Sequence, residues 1–583
     1  MHQDESAPPA NPAVPRLALL ATFVGVTIVR YWFSSARHVV HISPDEPSQL
    51  AIARFLAGRR RWNMFDHATW QPGLGTLITP IYWFSDRAET VVRWGLGVNA
   101  VFGGLGAVLL VLLTRRLTGL PDWMCAVLAT IVALAPASLS ASAFIWAEPL
   151  ISLSTIGTLL LLIRYYDSGR LLTAVAAVAC SVGGYTTHSR LLPLIATTVL
   201  LTVGRELWRR RSIAAGTIAA SALVMFGATS FWKDWLLDRI WDNPSNQNTV
   251  DSVITRAQQP LDVGEALLGQ VWYQLIATLG VAVLGTVALL ELAFRRRHAD
   301  EPVKSSTTTL ARLVILTTLP LVIISAIFMA DRGREDQYIY GRYNDAVVWP
   351  IVVLGLGWLV ARARHGLRRR DLATIAGTVI VTIGLGVAVN ALHGDSIRER
   401  YGVRAMIAGV LPFVDGDDTL DVWRATLVAT ALFLIGMAVL VITHHAGRAG
   451  APLLAIGTAL GIGLCAVGAA RTRDVADAKL NGWDKAAVVR QVDALVPPGL
   501  PLAVRTVPSS KDPVVAWVPQ RQRYLMYQLY LPERSFVRDR GPDDDVGPYV
   551  FSVLNDPEML DTGAELIWTD PTVKIGLWKE PSP

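Results

Sequence analysis

Hydrophobic positions in this chain gather into long uncharged runs separated by shorter polar stretches, the pattern of a polypeptide that crosses a bilayer repeatedly. Leu17–Phe33 is the first run, with Arg30 near its end, where a long side chain can snorkel to the headgroups. Spans are predicted next over Arg93–Leu113, Trp123–Ser140, Pro149–Ile163, Leu171–Thr187, Leu191–Val203, Ile213–Phe231 and Ala266–Leu290. Leu313–Ala330, Ala346–Val360, Leu372–Leu392, Ala425–Thr443 and Ala451–Ala470 bring the total to about thirteen crossings. Gly73–Phe84 is apolar but too short to cross, so an interfacial or re-entrant segment is expected there. From Arg471 the apolar runs stop. Trp483–Leu495 has helical spacing and a helix is expected over Gln520–Leu529, while Leu502–Thr506, Tyr549–Val553, Glu565–Trp568 and Val573–Trp578 read as strands. The expected fold is an α-helical polytopic membrane protein with a small C-terminal α/β domain. Its parts are a tail over 1–16, a membrane domain over 17–470 and the α/β unit over 471–583.

Charge gives the runs a direction. The stretches Arg115-Arg116, Arg164–Arg170, Arg205–Arg211, Arg295–His298, Arg362–Arg370 and His444–Arg448 are short and basic, and they fall in every second loop. The positive-inside rule then places the N-terminus in the cytoplasm and the C-terminal domain outside the plasma membrane. The outward set of loops is longer and more mixed. It holds Asp45-Glu46, Glu148, His188-Ser189-Arg190 and the stretches Lys233–Glu265, Asp331–Asp345 and His393–Asp421. Polar residues able to do chemistry thus collect on one side.

Composition excludes several classes. Of 583 residues 52% are apolar and 17% charged, against about a quarter charged in soluble domains. The net charge of +6 is spread over loops between spans, so no nucleic-acid partner is expected. Cys125, Cys180 and Cys465 lie in apolar runs and suggest packing, not a disulfide framework. Met1–Pro15 is Pro-rich, carries Asp4 and Glu5 and lacks a basic n-region, so no removable signal peptide is expected.

The outer loop 37–92 holds the leading candidates. Pro44 and Pro47 bracket Asp45 and Glu46, and Ser48–Ala57 reads as a short amphipathic helix along the interface. The two acids then sit at a helix N-terminus, either capping it or serving as a base or cation ligand. Glu148 opens a span at its outer end, as a site residue or as a snorkelled helix end. His188 and Arg190 occupy a tight outward turn that either lines a cavity or is a plain interfacial turn. In Tyr340-Gly341-Arg342-Tyr343, arginine offers phosphate a rigid fork of donors and the tyrosines add hydrogen bonds. Arg59-Arg60-Arg61 lies outside, against the charge trend, as an anion-binding cluster or a solvated run. His67 and Gln71 complete the loop as weaker substrate contacts.

The order of these motifs resembles the C-type (GT-C) integral-membrane glycosyltransferases. An Asp-Glu pair after the first span is followed by Gln71-Pro72-Gly73-Leu74, Arg93, Ala147-Glu148-Pro149-Leu150 and Gly341-Arg342-Tyr343. Protein O-mannosyltransferases, aminoarabinose lipid A transferases and actinobacterial arabinosyl- and mannosyltransferases are the nearest in pattern. The family's double-proline turn is only Gln71-Pro72 here, and His188-Ser189-Arg190 stands where some members carry lysine. The resemblance implies transfer of a sugar, outside the cytoplasm, from a polyprenyl-phosphate donor to a glycan, lipid or protein acceptor of the cell envelope. Asp45 is then the expected base for the acceptor hydroxyl, with Glu46 supporting it and a carboxylate such as Glu148 stabilising the oxocarbenium-like state. Arg342 and Tyr343, with Arg59–Arg61, His188 and Arg190, are expected to meet the departing phosphate, and direct displacement inverts the anomeric carbon. No cofactor is required. A divalent cation between Asp45 or Glu46 and Glu148 is compatible with carboxylate chemistry. Two other readings remain open, a transporter or flippase of lipid-linked glycans and a non-catalytic envelope assembly factor; the scarcity of mid-span charge counts against transport.

Overall fold

The computed structural model describes residues 16–35, 37, 45–62, 64, 71–241, 250–294, 305–330, 335–400, 404–414, 419–446, 463, 466–468, 470–471, 485–505, 524, 527–538, 547–570 and 575–581. Helix α1 (Arg16–Ser34) is followed by α2 (Asp45–Leu56), α3 (Gly73–Ile78), a 3₁₀ turn (Thr79–Trp83), α4 (Ala88–Thr118), α5 (Asp122–Ala133) and α6 (Pro136–Ser140). After a second 3₁₀ turn (Ala141–Ala143) come α7 (Glu148–Ser168), α8 (Leu171–Tyr185), α9 (Leu192–Trp208), α10 (Ser212–Ile240), α11 (Val250–Ala257), α12 (Pro260–Ala277) and α13 (Val281–Phe294). The remaining membrane helices are α14 (Ser305–Met329), α15 (Arg342–Asp345), α16 (Trp349–His365), α17 (Arg369–Arg400) and α18 (Val422–Ala446), with a 3₁₀ segment Arg404–Phe413 between the last two.

Among the described residues eight helices are long and apolar enough to cross a membrane, or eleven if each of three bent helix pairs is one span. The described residues do not confirm the predicted count of about thirteen: α8 is apolar but shorter than these, and the last expected span, Ala451–Ala470, lies almost wholly outside the described residues. Two segments each expected as one span are broken. α5 and α6 meet at 61° where Pro136 starts the second helix, and α12 and α13 meet at 104°. At the latter break Leu279 and Gly280 take left-handed backbone angles, φ 49° and 74°, which end one helix and redirect the next.

A broken helix frees carbonyls that hydrocarbon cannot satisfy. Arg30 answers the α5–α6 break. Instead of snorkelling to the surface it is fully buried, donating to the carbonyls of Ala133 at 2.8 Å and Ser138 at 2.9 Å. Gly103 leaves the room: a Cβ there would stand 2.3 Å from Arg30 Nε.

α2 also departs from expectation. Every residue from Asp45 to Arg54 is buried, so it is not a helix lying along the interface. Its apolar residues join one core with α3, the start of α4, the end of α10 and the C-terminal domain. That domain contains α19 (Lys485–Leu495), α20 (Pro557–Asp561) and strands β1 (Leu502–Val504), β2 (Phe536–Arg538), β3 (Tyr549–Val553), β4 (Glu565–Asp570) and β5 (Ile575–Lys579). The sheet order is β2-β1-β3-β5-β4, parallel from β2 to β3 and antiparallel from β3 to β4. β2 was not expected from the sequence. The predicted Gln520–Leu529 helix falls largely outside the described residues.

Candidate functional site

Three chain segments that are distant in sequence meet at Arg342. Its Nη1 donates to Asp45 Oδ2 at 2.6 Å, its Nε to Glu148 Oε1 at 2.7 Å and its Nη2 to Glu148 Oε2 at 3.3 Å. The guanidinium lies 3.7 Å over the Trp146 ring, which itself stacks on Phe144 at 3.9 Å. A planar fork suits this place because it can serve two carboxylates edge-on while its face rests on an aromatic plane. Each partner is held by local structure. Asp45 and Glu46 start α2, and Glu148 starts α7 with Pro149 behind it, so the acids sit at helix N-termini where the dipole favours negative charge.

Arg190 extends the cluster. Its Nη2 approaches Glu148 Oε1 at 3.4 Å, and its guanidinium stacks 4.1 Å over Tyr343, whose ring edge meets His188 and Tyr340. Arg190 is 2% exposed, and its Nε and Nη1 have no hydrogen-bond partner among the described residues. The His188 Nδ1 accepts from the Arg190 backbone N–H at 3.2 Å, which leaves the proton of a neutral ring on Nε2. Burial, then the charges of Arg190 and Arg342, holds this imidazole well below its usual pKa, so it is neutral at pH 7. Burial likewise pushes the Asp45 carboxyl up; Arg342 pulls it back down, and Glu148 and Glu46 add to the rise.

Glu46 adjoins Asp45 in sequence but takes different partners. It forms a buried ion pair with Arg37 and accepts the Ile145 backbone N–H at 2.9 Å. A small cleft, with a cavity volume of about 20 Å³, borders the cluster, lined by Glu148, Arg342, Trp146, Ser138, Asp345 and Trp349 among others.

No family model and no curated protein matches the chain. Solved structures do. ArnT from Cupriavidus metallidurans in the apo state is similar over 97% of this chain and 98% of its own, with 15% identity and a TM-score of 0.50. The same protein bound to undecaprenyl phosphate matches over equal shares and at equal identity, with a TM-score of 0.48. Arabinosyltransferase EmbB from Mycobacterium smegmatis is similar over 82% of this chain and 43% of its own, with 13% identity and a TM-score of 0.41. This chain has the GT-C fold.

Within that fold the candidate residues divide. Asp45, Glu148, Arg342, Tyr343, Tyr340, His188 and Arg190 come together. Tyr340 packs against Tyr343 and donates to the Met406 sulfur at 3.1 Å. Arg59, Arg60 and Arg61 point elsewhere, to the Tyr82 carbonyl, the Glu533 carbonyl and the Arg239 carbonyl. Gln71 is buried, and its backbone carbonyl accepts from Gln49 at 3.2 Å, while its neighbour Gly73 donates to the Thr186 carbonyl at 2.7 Å. The turn thus abuts the segment leading to His188. His67 lies outside the described residues. Among those described, no group of three or more acidic, His or Cys side chains is arranged to hold a metal ion, and Arg342 bridges Asp45 and Glu148. Sequence reading missed Trp146, Arg37 and Asn99. Trp146 was visible as a neighbour of Glu148, and Asn99 as the amide within an otherwise apolar run.

Proposed function

We propose that this chain is a membrane glycosyltransferase that moves a sugar from a polyprenyl-phosphate donor to a hydroxyl of an envelope acceptor on the outer face, with inversion. The observation that carries the reading is one guanidinium, Arg342, joined to two buried acids beside a second buried guanidinium with unfilled donors. Asp45 is the base: its raised pKa makes it a better proton acceptor than an exposed carboxylate, and Arg342 fixes its direction. Arg342 and the open Nε and Nη1 of Arg190 meet the donor phosphate, whose negative charge grows as the glycosidic bond breaks. His188, being neutral, contributes a hydrogen bond there and not charge. Glu148 orients both guanidiniums and supplies negative charge near the oxocarbenium-like centre. A phosphate-linked lipid leaves readily, so the geometry needs no strong general acid. ArnT, with which the chain shares its fold, has been crystallised with undecaprenyl phosphate, and a lipid of that class is the proposed donor and product partner.

The test compares wild type with Asp45→Asn in membranes supplied with radiolabelled polyprenyl-phosphate sugars, after equal insertion of both has been checked. Wild type should move one sugar onto an envelope acceptor, and the variant should be slower by about 10²–10⁴-fold. Transfer by Asp45→Asn at the wild-type rate would overturn the base assignment. An absence of transfer by wild type from every donor would bring forward the flippase and assembly readings.

A further inference from the structure

The link Ala143–Ala147 carries Trp146, the plane beneath Arg342, and leads directly into Glu148, yet past Ala143, the end of a 3₁₀ turn, it belongs to no helix or sheet that would hold its backbone. Three side chains from three other segments hold it. Arg37, just past α1, donates to the Ala143 carbonyl and lies 5.3 Å over the Phe144 ring. Asn99, fully buried in the middle of α4, donates to the Phe144 carbonyl at 2.6 Å. Glu46 accepts the Ile145 N–H at 2.9 Å and is itself gripped by both Arg37 nitrogens, Nη1 to Oε1 at 2.7 Å. Backbone groups on three consecutive residues are thus met by side chains. Leaving any of them unpaired would cost desolvation that the membrane interior does not return.

We infer that Arg37, Glu46 and Asn99 are positioning residues that fix the Ala143–Ala147 link and so set Trp146 and Glu148 against Arg342. The role bears on catalysis only through the transferase reading above, but the mechanical claim stands apart from it. Glu46 therefore acts opposite to what adjacency suggests: Asp45 faces the reacting side and Glu46 faces the scaffold. One helix N-terminus orders both halves of the site. Asp45 reaches Arg342 directly, and Glu46 reaches it through the link, Trp146 and Glu148. Arginine is required at 37 because one planar group must satisfy a carboxylate and a carbonyl at once, which a lysine point charge does only in part.

The experiment follows amide hydrogen exchange in the full chain in lipid nanodiscs for wild type, Arg37→Met, Arg37→Lys and Asn99→Leu. The expected result is faster exchange over 143–148 by roughly tenfold or more in Arg37→Met and Asn99→Leu, with the other helices unchanged and partial restoration in Arg37→Lys. Where transfer can be measured, kcat should fall roughly tenfold in the same order, while in Asn99→Leu, which removes no charge, the acidic limb of the pH profile stays in place because Asp45 keeps its contact with Arg342. Unchanged exchange over 143–148 in both variants would overturn the proposal, as would a uniform rise across the chain. Should Arg37→Met fail to insert, Asn99→Leu decides alone, since it removes one donor and keeps the shape. A wild type that transfers no sugar sinks the transferase reading only, and the exchange data still decide the positioning role.

Discussion

Arg342 sets the chemistry of its neighbours by charge, and the sign of each effect can be worked out. Asp45 must be ionised to act as a base, so activity should rise with pH through its pKa. Burial raises that pKa, so the midpoint of the acidic limb should lie above the roughly pH 4 of an exposed carboxylate. Removing the like charge in Glu148→Gln should move the midpoint down, and removing the opposite charge in Arg342→Gln should move it up. The residual kcat/KM of each variant measured against pH checks both directions, and a shift of the same sign in the two would contradict the arrangement. Arg342→Gln also leaves Asp45 buried without its cation and Glu148 with Arg190 alone, a loss of about 3–5 kcal/mol for a buried pair of this kind. Its unfolding midpoint in detergent should fall accordingly, whereas Arg342→Lys, which keeps the charge and loses the fork, should lie between it and wild type. Asp45, Glu148 and Arg342 were legible as candidates in the sequence because charge at the end of an apolar run is costly and therefore conspicuous. Arg37 was not, because a lone arginine in a loop reads as solvated until the buried acid it pairs with is known.

At the scale of elements, the turn that presents Arg342 is held from behind. The Gly341 N–H donates to the Met406 carbonyl at 3.1 Å, and a Cβ at Gly341 would stand 1.9 Å from the Tyr273 ring. Tyr273 cannot yield, because its hydroxyl donates to Asp345 at 2.9 Å and accepts the Gly409 N–H at 2.8 Å. Asn344 ties the same turn to Gln270 at 2.9 Å. Gly341→Ala should therefore push the turn off Tyr273, cost about 1–3 kcal/mol from overpacking and weaken donor binding more than it weakens folding. A rise in KM for the lipid donor, with expression and insertion near wild type, is the expected reading. Pairing it with Tyr273→Phe should not relieve the clash, since the ring remains. The glycine and the arginine were visible as a motif, but the reason for the glycine lies on α12, about seventy residues earlier in the chain. Breaks in helices were hidden for a similar reason. Trp123–Ser140 and Ala266–Leu290 are uncharged throughout, and hydropathy records length without direction, so neither the 61° nor the 104° bend leaves a trace in the average. The strands at 549–553 and 565–570 were legible through their β-branched and aromatic content. β2 is three residues long and announces itself only by its pairing with β1.

For the whole molecule, the consequential feature is that α2 serves two masters. Its first residue meets Arg342, and near its other end Arg54 is buried against the C-terminal domain, about 14 Å along the helix axis. Arg54 pairs with Asp86 and donates to the Arg60 carbonyl at 2.9 Å and the Pro532 carbonyl at 3.1 Å, while Trp62 and Tyr82 flank its guanidinium. Arg60 reaches the Glu533 carbonyl, and Arg490 pairs with Glu89 at 2.8 Å. Of the basic cluster that the sequence offers as an anion site, Arg60 is thus engaged in joining the 37–92 loop to this domain, while Arg59 stays within that loop and Arg61 reaches the end of α10. Charge alone could not distinguish these uses, because a backbone carbonyl and a phosphate oxygen ask the same thing of an arginine. Arg54→Met keeps most of the side-chain volume and removes the donors. It should cost about 2 kcal/mol, less than a fully buried pair, because the Asp86 side chain keeps 24% of its surface exposed. Hydrogen exchange should quicken at 529–534 and along the C-terminal half of α2, and protease should cut the C-terminal domain from the membrane part sooner. If α2 transmits this loosening, transfer falls as well, although Arg54 touches nothing at the site. A variant whose domain loosens while transfer holds at the wild-type rate would show that Asp45 is fixed by Arg342 alone and that the domain is anchored to α2 for reasons unrelated to the chemistry.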